Sequence, residues 1–349
     1  MKRSKCTLTR QEGTTRRGFI KQSATMFVTL AALPLIPRIS YSADGNILRI
    51  RDYGDFISLD PAFAANQPEE NITSTIYNKL IAYKPGSEWG WQLQAAEEMK
   101  QLDDLHIFFK LKQGIQFTNN FGEMTAADVK YSFERIVDPK MESPISGDWG
   151  PLKEVQVKDK YSGVIVLKEP FQALWMTTLP YMAGNIVSKK ATEQMGGKYG
   201  TEPPCCSGPY FLKSWTPKQK TILARNPLWI GEPAAFDEIH IIPIDDEKTA
   251  ELAFEAGDLD WTRISLSSYP RLKKKPPENS LVEYYPSLYY VWVGMNIENE
   301  ALKDKRVRQA VQYAIDVPST LEAAYMGAAE PSTGIIPPGL IGHREKTLT

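Results

Sequence analysis

The chain has 349 residues, 42% of them hydrophobic and 24% charged, which suits ordinary globular cores spread over two or three folding units. Its formal charge of −1 hides an asymmetry. The first 42 residues hold eight Lys/Arg against the single acid Glu12, leaving 33 basic and 41 acidic residues, a charge of −8, in the remainder. That balance argues against nucleic acid as a partner.

The first 42 residues read as an address. A basic region leads into the uncharged run Gln22–Pro37, whose sixteen residues, broken by Pro34, fall short of the ~20 apolar residues of a membrane span. Small residues at Ser40 and Ser42 place a cleavage site after Ser42. Ahead of the apolar run, Thr15-Arg16-Arg17-x-Phe19-Ile20-Lys21 resembles the twin-arginine export signal, and the Phe-Ile-Lys after the pair favours that route over the general secretory one. Cys6 lies too early to serve as a lipid-attachment site at the cleavage point. The resemblance implies a soluble mature chain, delivered to the periplasm by the twin-arginine export machinery.

Beyond the leader, alternation over Ile47–Arg51 predicts a strand, and Leu59-Asp60-Pro61 a turn. Ile72, Ile76, Tyr77, Leu80 and Ile81 are spaced for one face of a helix. Two short strands are expected around Gly114. A helix follows with Thr125 as N-cap, Asp128 completing a capping box, and Val129, Phe133 and Ile136 as its buried stripe. The stretches SGVIVLKEP, TILARN and FDEIHIIPI alternate as strands, and DDEKTAELAFEAG is a helix with an acidic start that stops at Gly257. SLYYVWVGMN is expected to be a strand with Tyr290, Trp292, Gly294 and Asn296 on one face. Val307, Ala310, Val311, Ala314 and Ile315 mark a final amphipathic helix. Strands interleaved with helices at this spacing predict an α/β architecture with interrupted domains.

Catalytic and metal-binding signatures are missing from the sequence. The three histidines, His106, His240 and His343, fit no H-E-x-x-H or zinc spacing. G-x-S-x-G, G-x-G-x-x-G and the phosphate-cradling G-x-x-x-x-G-K-[ST] are absent. His106 and His240 fall in strand-like segments, where a structural role is expected. The pairs Asp103-Asp104 and Asp245-Asp246 read as turn and cap residues. Cys205 and Cys206 are adjacent, so they make no C-x-x-C, and neighbours meet disulfide geometry only with strain. A pair of small residues in a turn and an oxidisable vicinal switch both remain open at this point.

Taken together, several ordered segments resemble family 5 of the extracellular solute-binding proteins, the dipeptide, oligopeptide and nickel class that serves ABC importers. They are SLDPAFAANQPEENITSTIYNKLIAYKPG, FKLKQGIQFTNNFGEMTAADVKYSFERIVDP, CCSGPYFLKSWTPKQKTILARNPLWIGEPAAFDEIHIIPI, AFEAGDLDW, YYVWVGMN, LKDKRVRQAVQYAID and GIIPPGL. The resemblance implies an α/β fold: a two-lobed periplasmic-binding-protein clamshell of type II, cluster-C-like, with an extra inserted α/β domain. The leader would occupy 1–42, lobe I 43–81 and 189–288, the inserted domain 82–188, and a crossing strand and the start of lobe III 289–349. Cys206 replaces a small residue, usually Thr, in the family's turn. Family members also continue well past the IPPG block, so an incomplete C-terminal lobe and an uncovered apolar face on the last helix are expected.

The same resemblance implies a small-molecule ligand, most simply a peptide or similar polar oligomer, held between lobes I and III by hinge closure without catalysis or cofactor. An ABC importer permease is the implied partner. Non-transport binders on the same fold, chemosensory or chaperone-like, and a non-functional fragment are the alternatives. Candidate ligand contacts are Asn66 and Gln67 for their side-chain amides, Trp261 beside the cleft, and Tyr290 and Trp292 as stacking surfaces on the crossing strand. Tyr210, after the Gly208-Pro209 turn, is expected to pack inward.

Overall fold

The computed structural model describes residues 5–10, 46–86, 90–285, 290–326, 328–338 and 342–346. Arg16, Arg17, Phe19, Ile20 and Lys21 of the export motif therefore lie outside the described residues. In chain order the main elements are β1 (Lys5–Arg10), β2 (Ile47–Asp52), α1 (Gln67–Ile76), β3 (Ala96–Gln101), β4 (His106–Leu111), α2 (Ala126–Val137), β5 (Leu152–Val157), β6 (Ser162–Leu167) and β7 (Tyr210–Thr216). Then come β8 (Lys220–Arg225), β9 (Glu238–Pro243), α3 (Glu247–Ala256), β10 (Trp261–Ile264), β11 (Ser280–Tyr285), α4 (Lys305–Ala314) and α5 (Val317–Tyr325).

Two sheets organise the chain. The larger has the order β7-β8-β9-β2-β10-β1-β11, and the smaller is β5-β6-β4-β3. In the larger sheet β2 is flanked by β9 and β10, both parallel to it, while the outer pairings are antiparallel. The parallel ladder is started by a reciprocal clasp, Asp237 N–H to the Asn46 carbonyl and Asn46 N–H to the Asp237 carboxylate, at 2.7 and 2.9 Å. In the smaller sheet every residue of β6 is buried, as a strand covered on both faces requires. Gly163 is needed there, because a Cβ would sit 2.7 Å from both the Phe109 ring and the Gln156 carbonyl oxygen.

Local signals explain the helices. The Asp128 carboxylate accepts from the Thr125 N–H at 2.8 Å, closing the capping box of α2, and Val129, Phe133 and Ile136 are buried as the spacing requires. Phe133 stacks on Trp149 with ring centroids 4.3 Å apart. Asp246 accepts from Thr249 N–H at 2.7 Å to start α3, and Gly257, at φ 87°, ends it in the left-handed region. Each aspartate of the Asp103 and Asp246 positions thus serves a turn or a cap.

Two expectations fail. The first helix was expected to run through Ile81, but α1 stops at Ile76. Tyr77 turns extended, the Asn78 amide donates to the Ser207 carbonyl at 2.7 Å, and Asn78–Lys79 pair with Asn185–Ile186. Leu80 and Ile81 are buried, yet in the core of the smaller sheet, so periodicity alone joined residues that serve two cores. The second failure is the described part of the crossing strand, Tyr290–Asn296; Ser287, Leu288 and Tyr289 lie outside the described residues. Tyr290 makes an isolated bridge and Val291–Asn296 form no regular strand; Trp292 and Val293 are each 67% exposed. A strand holds only when neighbours satisfy its backbone. By contrast α4 forms as expected with no buried residue, so its apolar stripe faces outward.

The adjacent cysteines sit on a seam. Cys205 belongs to the core built by α2 and the smaller sheet, Cys206 to the core under α1, β7 and β8. Both are free and buried, and burial pushes each thiol up to about 12. Serving two different cores, they act as small packing residues, and the vicinal switch loses its basis. Alkylation of both thiols is expected to be negligible in the native protein between pH 7 and 9 and rapid after unfolding. Fast native labelling, or a missing pair of thiols in the unfolded chain, would contradict this.

The two cores are tied by one buried ion pair. Arg135 of α2 donates to both oxygens of Asp60 at 2.7 and 2.8 Å, with side chains 5% and 0% exposed. Asp60 also accepts from the N–H groups of Ala62 and Tyr199, and Arg135 donates to the Gly197 carbonyl. Arg135→Ala strands a buried carboxylate, so a loss of about 3–5 kcal/mol in denaturant unfolding is expected. A loss below 1 kcal/mol would mean the pair is incidental.

Candidate ligand-binding site

In an open sheet with parallel strands, a crevice forms outside the carboxyl end of the strand from which the chain leaves to both sides. Here that strand is β2, between β9 and β10. Its last residues are Arg51 and Asp52, both buried. Arg51 donates through Nε and Nη2 to the carbonyls of Ile244 and Asp245, each at 2.7 Å, and so ties the end of β2 to the start of α3.

Asp52 anchors a polar string. Its carboxylate accepts from the Tyr53 N–H at 2.8 Å and from the Asn71 amide at 2.7 Å. Asn71 in turn accepts from the Gln67 amide at 3.2 Å, one turn back along α1. Burial pushes the Asp52 carboxyl above its usual range; the Asn71 and Tyr53 hydrogen bonds and the nearby guanidinium groups of Arg263 and Arg51 oppose that shift. The string places amides and a carboxylate at the N-terminal end of α1, a set able to meet both donors and acceptors of a polar ligand.

Asn66 and Gln67 thus come together at the start of α1. Asn66 forms a capping box with Glu69, whose carboxylate accepts from the N–H groups of Asn66 and Ile57, both at 2.9 Å. Asn66 is exposed, and Gln67 is half-buried and joined to the string. Trp261 opens β10 opposite Ile50, two positions short of the end of β2, and is half-buried on the sheet. Arg263, two residues on, is near enough for its charge to favour the Asp52 carboxylate.

Tyr290 lies elsewhere, lining a recess of about 320 Å³ with Glu330, Thr333, Pro337 and His343. Trp292 is mostly exposed, its ring folded over Gly294, where a Cβ would meet it at 2.7 Å. Asp52, Asn71 and Arg263 escaped the sequence reading. Asn71 and Gln67 are four apart on a helix, a visible pairing signal, but Asp52 joins them only through the fold. A second recess of about 340 Å³ is lined by Thr118, Asn119, Glu202, Lys213 and Trp215, with both cysteines at its wall. Among the described residues no group of three or more His, Cys, Asp or Glu could hold a metal ion, and no helix is long and apolar enough to cross a membrane.

Comparison with known proteins gives a consistent picture. Residues 91–348 match the model for "Bacterial extracellular solute-binding proteins, family 5 Middle". The chain is 26% identical over 289 residues to the glutathione-binding protein GsiB of Escherichia coli (strain K12), covering 82% of this chain and 55% of that protein. It is 25% identical over 336 residues to the probable D,D-dipeptide-binding periplasmic protein DdpA of the same strain, covering 93% and 64%. The fold matches that of the oligopeptide-binding protein AppA of Bacillus subtilis, solved in complex with a nonapeptide, with a TM-score of 0.75 at 23% identity over 86% of this chain and 60% of that one. The chain therefore spans between half and two thirds of the length of these relatives, and its architecture is the α/β periplasmic-binding-protein clamshell anticipated from the sequence.

The Asp52 environment yields a titration test. Its folded pKa lies above its unfolded one, so the folded state binds the proton more tightly and stability falls as pH rises through that window. Asn71→Ala removes a hydrogen bond that favours the carboxylate, so the Asp52 pKa should rise further and the fall in stability should deepen. Carboxyl-detected NMR titration of the two proteins checks this; an unchanged or lower pKa in Asn71→Ala would contradict it.

Proposed function

Because this chain belongs to the family 5 bacterial extracellular solute-binding proteins, we propose that it binds a short peptide or similar polar oligomer in the periplasm and hands it to the membrane permease of an ABC importer. The observation that carries this reading is the Gln67–Asn71–Asp52 string at the carboxyl end of β2. It offers amide and carboxylate groups that match the alternating donors and acceptors of a peptide backbone. The relatives support the ligand class: one is named for glutathione, another for D,D-dipeptides, and AppA was solved with a nonapeptide.

In this reading lobe I comprises 43–81 and 189–288 and carries the string. Residues 82–188 form the inserted domain on its flank, and 289–349 lead into the lobe that closes over the ligand. Hinge closure buries the ligand and strengthens each hydrogen bond by excluding water. Asn66 and Gln67 contact the ligand directly; Trp261, Tyr290 and Trp292 supply flat apolar surface as the lobes approach. Residues 1–42 are the leader, read by the twin-arginine machinery through Arg16 and Arg17.

A thermal-shift panel of di- to nonapeptides on the full-length protein tests the reading. A peptide at 100 times its dissociation constant adds ~2.7 kcal/mol of stability, a plain upward shift in Tm. Gln67→Ala should leave the ligand-free Tm in place and weaken peptide binding about tenfold, the worth of one hydrogen bond to a polar group. No shift with any peptide, or equal affinity in Gln67→Ala, would count against it.

A further inference from the structure

Against α1 lies a cluster of buried polar side chains that ligand binding does not use. Glu70 and Lys79 form an ion pair there at 3.2 Å, with side chains 10% and 4% exposed. The Lys79 ammonium also donates to the Pro180 carbonyl at 3.1 Å, so two of its three N–H groups are engaged. Lys79 is directly opposed to Asn185 in the short antiparallel ribbon of Asn78–Lys79 with Asn185–Ile186. Opposed residues of such a pair project from the same face, so the Asn185 side chain leaves the ribbon on the side taken by Lys79. Thr73 follows Glu70 by three residues and therefore neighbours it on the helix surface.

Three oxygens of this cluster are orphans. Glu70 Oε2, Thr73 Oγ1 and Asn185 Oδ1 are buried, and no group among the described residues hydrogen-bonds to them. The Asn185 amide donates to the Met182 carbonyl at 2.9 Å, which leaves Oδ1 as its open end. Buried oxygens of this kind cost free energy when unpaired, and native structures satisfy nearly all of them with protein groups or ordered water. The open groups are two acceptors, Glu70 Oε2 and Asn185 Oδ1, and two donors, the third Lys79 N–H and the Thr73 hydroxyl. A water molecule has two O–H donors and two lone pairs, so one water meets all four. Charge excludes other small occupants. The Glu70–Lys79 pair is neutral as a whole, so a metal or ammonium ion would be buried against the Lys79 ammonium, and an anion against the Glu70 carboxylate.

We propose that Glu70, Thr73, Lys79 and Asn185 form a binding site for one internal water molecule, which joins α1 to the segment 180–185. The water donates to Glu70 Oε2 and Asn185 Oδ1 and accepts from Lys79 and Thr73. It thereby helps to hold the helix that carries Gln67 and Asn71. The site goes beyond the transport reading and stands or falls whatever ligand that helix meets.

A crystal structure of the full chain should show one ordered solvent peak within about 2.6–3.2 Å of Glu70 Oε2, Asn185 Oδ1 and Lys79 Nζ. Burial pushes the Glu70 carboxyl above its usual range, with the Lys79 ammonium opposing, so the competing arrangement is a protonated Glu70 that donates directly to Asn185 or Thr73. Such a direct contact without a solvent peak overturns the proposal, and so does a peak with the short ligand distances of a metal ion. In solution, magnetic relaxation dispersion of the solvent counts internal waters that outlast the tumbling of the protein. Asn185→Leu removes an acceptor at nearly constant side-chain size, and the count should fall by one from that of the unaltered chain. An unchanged count in the folded variant overturns the proposal. Thr73→Val is the milder change, keeping the side-chain shape and losing the hydroxyl. It should shorten the residence time of the same water about tenfold, the worth of one hydrogen bond. An unchanged residence time there contradicts the assigned site, even where Asn185→Leu does not fold.

Discussion

Asp60 and Arg135 hold the molecule to one geometry. The carboxylate is fully buried and receives four hydrogen bonds, two of them from a single guanidinium that arrives from the other core. Neither charge tolerates the loss of its partner in so dry a place. The turn at Leu59–Ala62, the body of α2 and the Gly197–Gly200 stretch are thereby pinned to one another. Nearby, the buried Tyr77 and Tyr199 hydroxyls meet at 2.7 Å and Leu59 N–H donates to the Gly200 carbonyl, so the same three segments are closed from the side of α1 as well. The start of α1, which carries Asn66 and Gln67, follows this knot by only a few residues.

That constraint explains why the polar string is well placed for binding. A hydrogen-bonded chain from Gln67 through Asn71 to Asp52 selects a ligand only if its atoms stay put when the ligand is absent. The Asp60–Arg135 pair fixes the loop before α1. The Arg51 fork to Ile244 and Asp245 fixes the end of β2 from the other side. On the proposed reading the site is therefore preorganised at the start of α1, and closure of the second lobe would have only to bring the remaining contacts to it.

Much of this was legible in the sequence where the signals were local. The capping box at Thr125 and Asp128, the Gly257 stop and the alternation in β2 each depend on residues within a few positions, and each formed as read. The ordered family motifs carried the fold over most of the chain, because they sample many separate pieces of it. Signals failed where partners come from far away. Leu80 and Ile81 continued a helical period but belong to another core, and the Tyr290–Asn296 run has strand composition without strand neighbours. Asp52 looked like any strand-end aspartate until the fold set it beside Asn71. For the tandem cysteines the sequence left a packing role and a vicinal switch open; their neighbours in space show that they face two different cores. The pairing of Lys5–Arg10 with Ser280–Tyr285 joins segments too distant for any local pattern to reveal.

The central claim is that a peptide is held at the carboxyl end of β2 by the groups that begin α1. A crystal structure of the protein with a bound oligopeptide tests it most directly. The account predicts peptide density within hydrogen-bonding distance of Gln67 and beside Asp52, with the Asp60–Arg135 pair unmoved. Peptide seated instead in the recess beside Cys205 and Cys206, or against Tyr290 and His343 with the start of α1 empty, would contradict it.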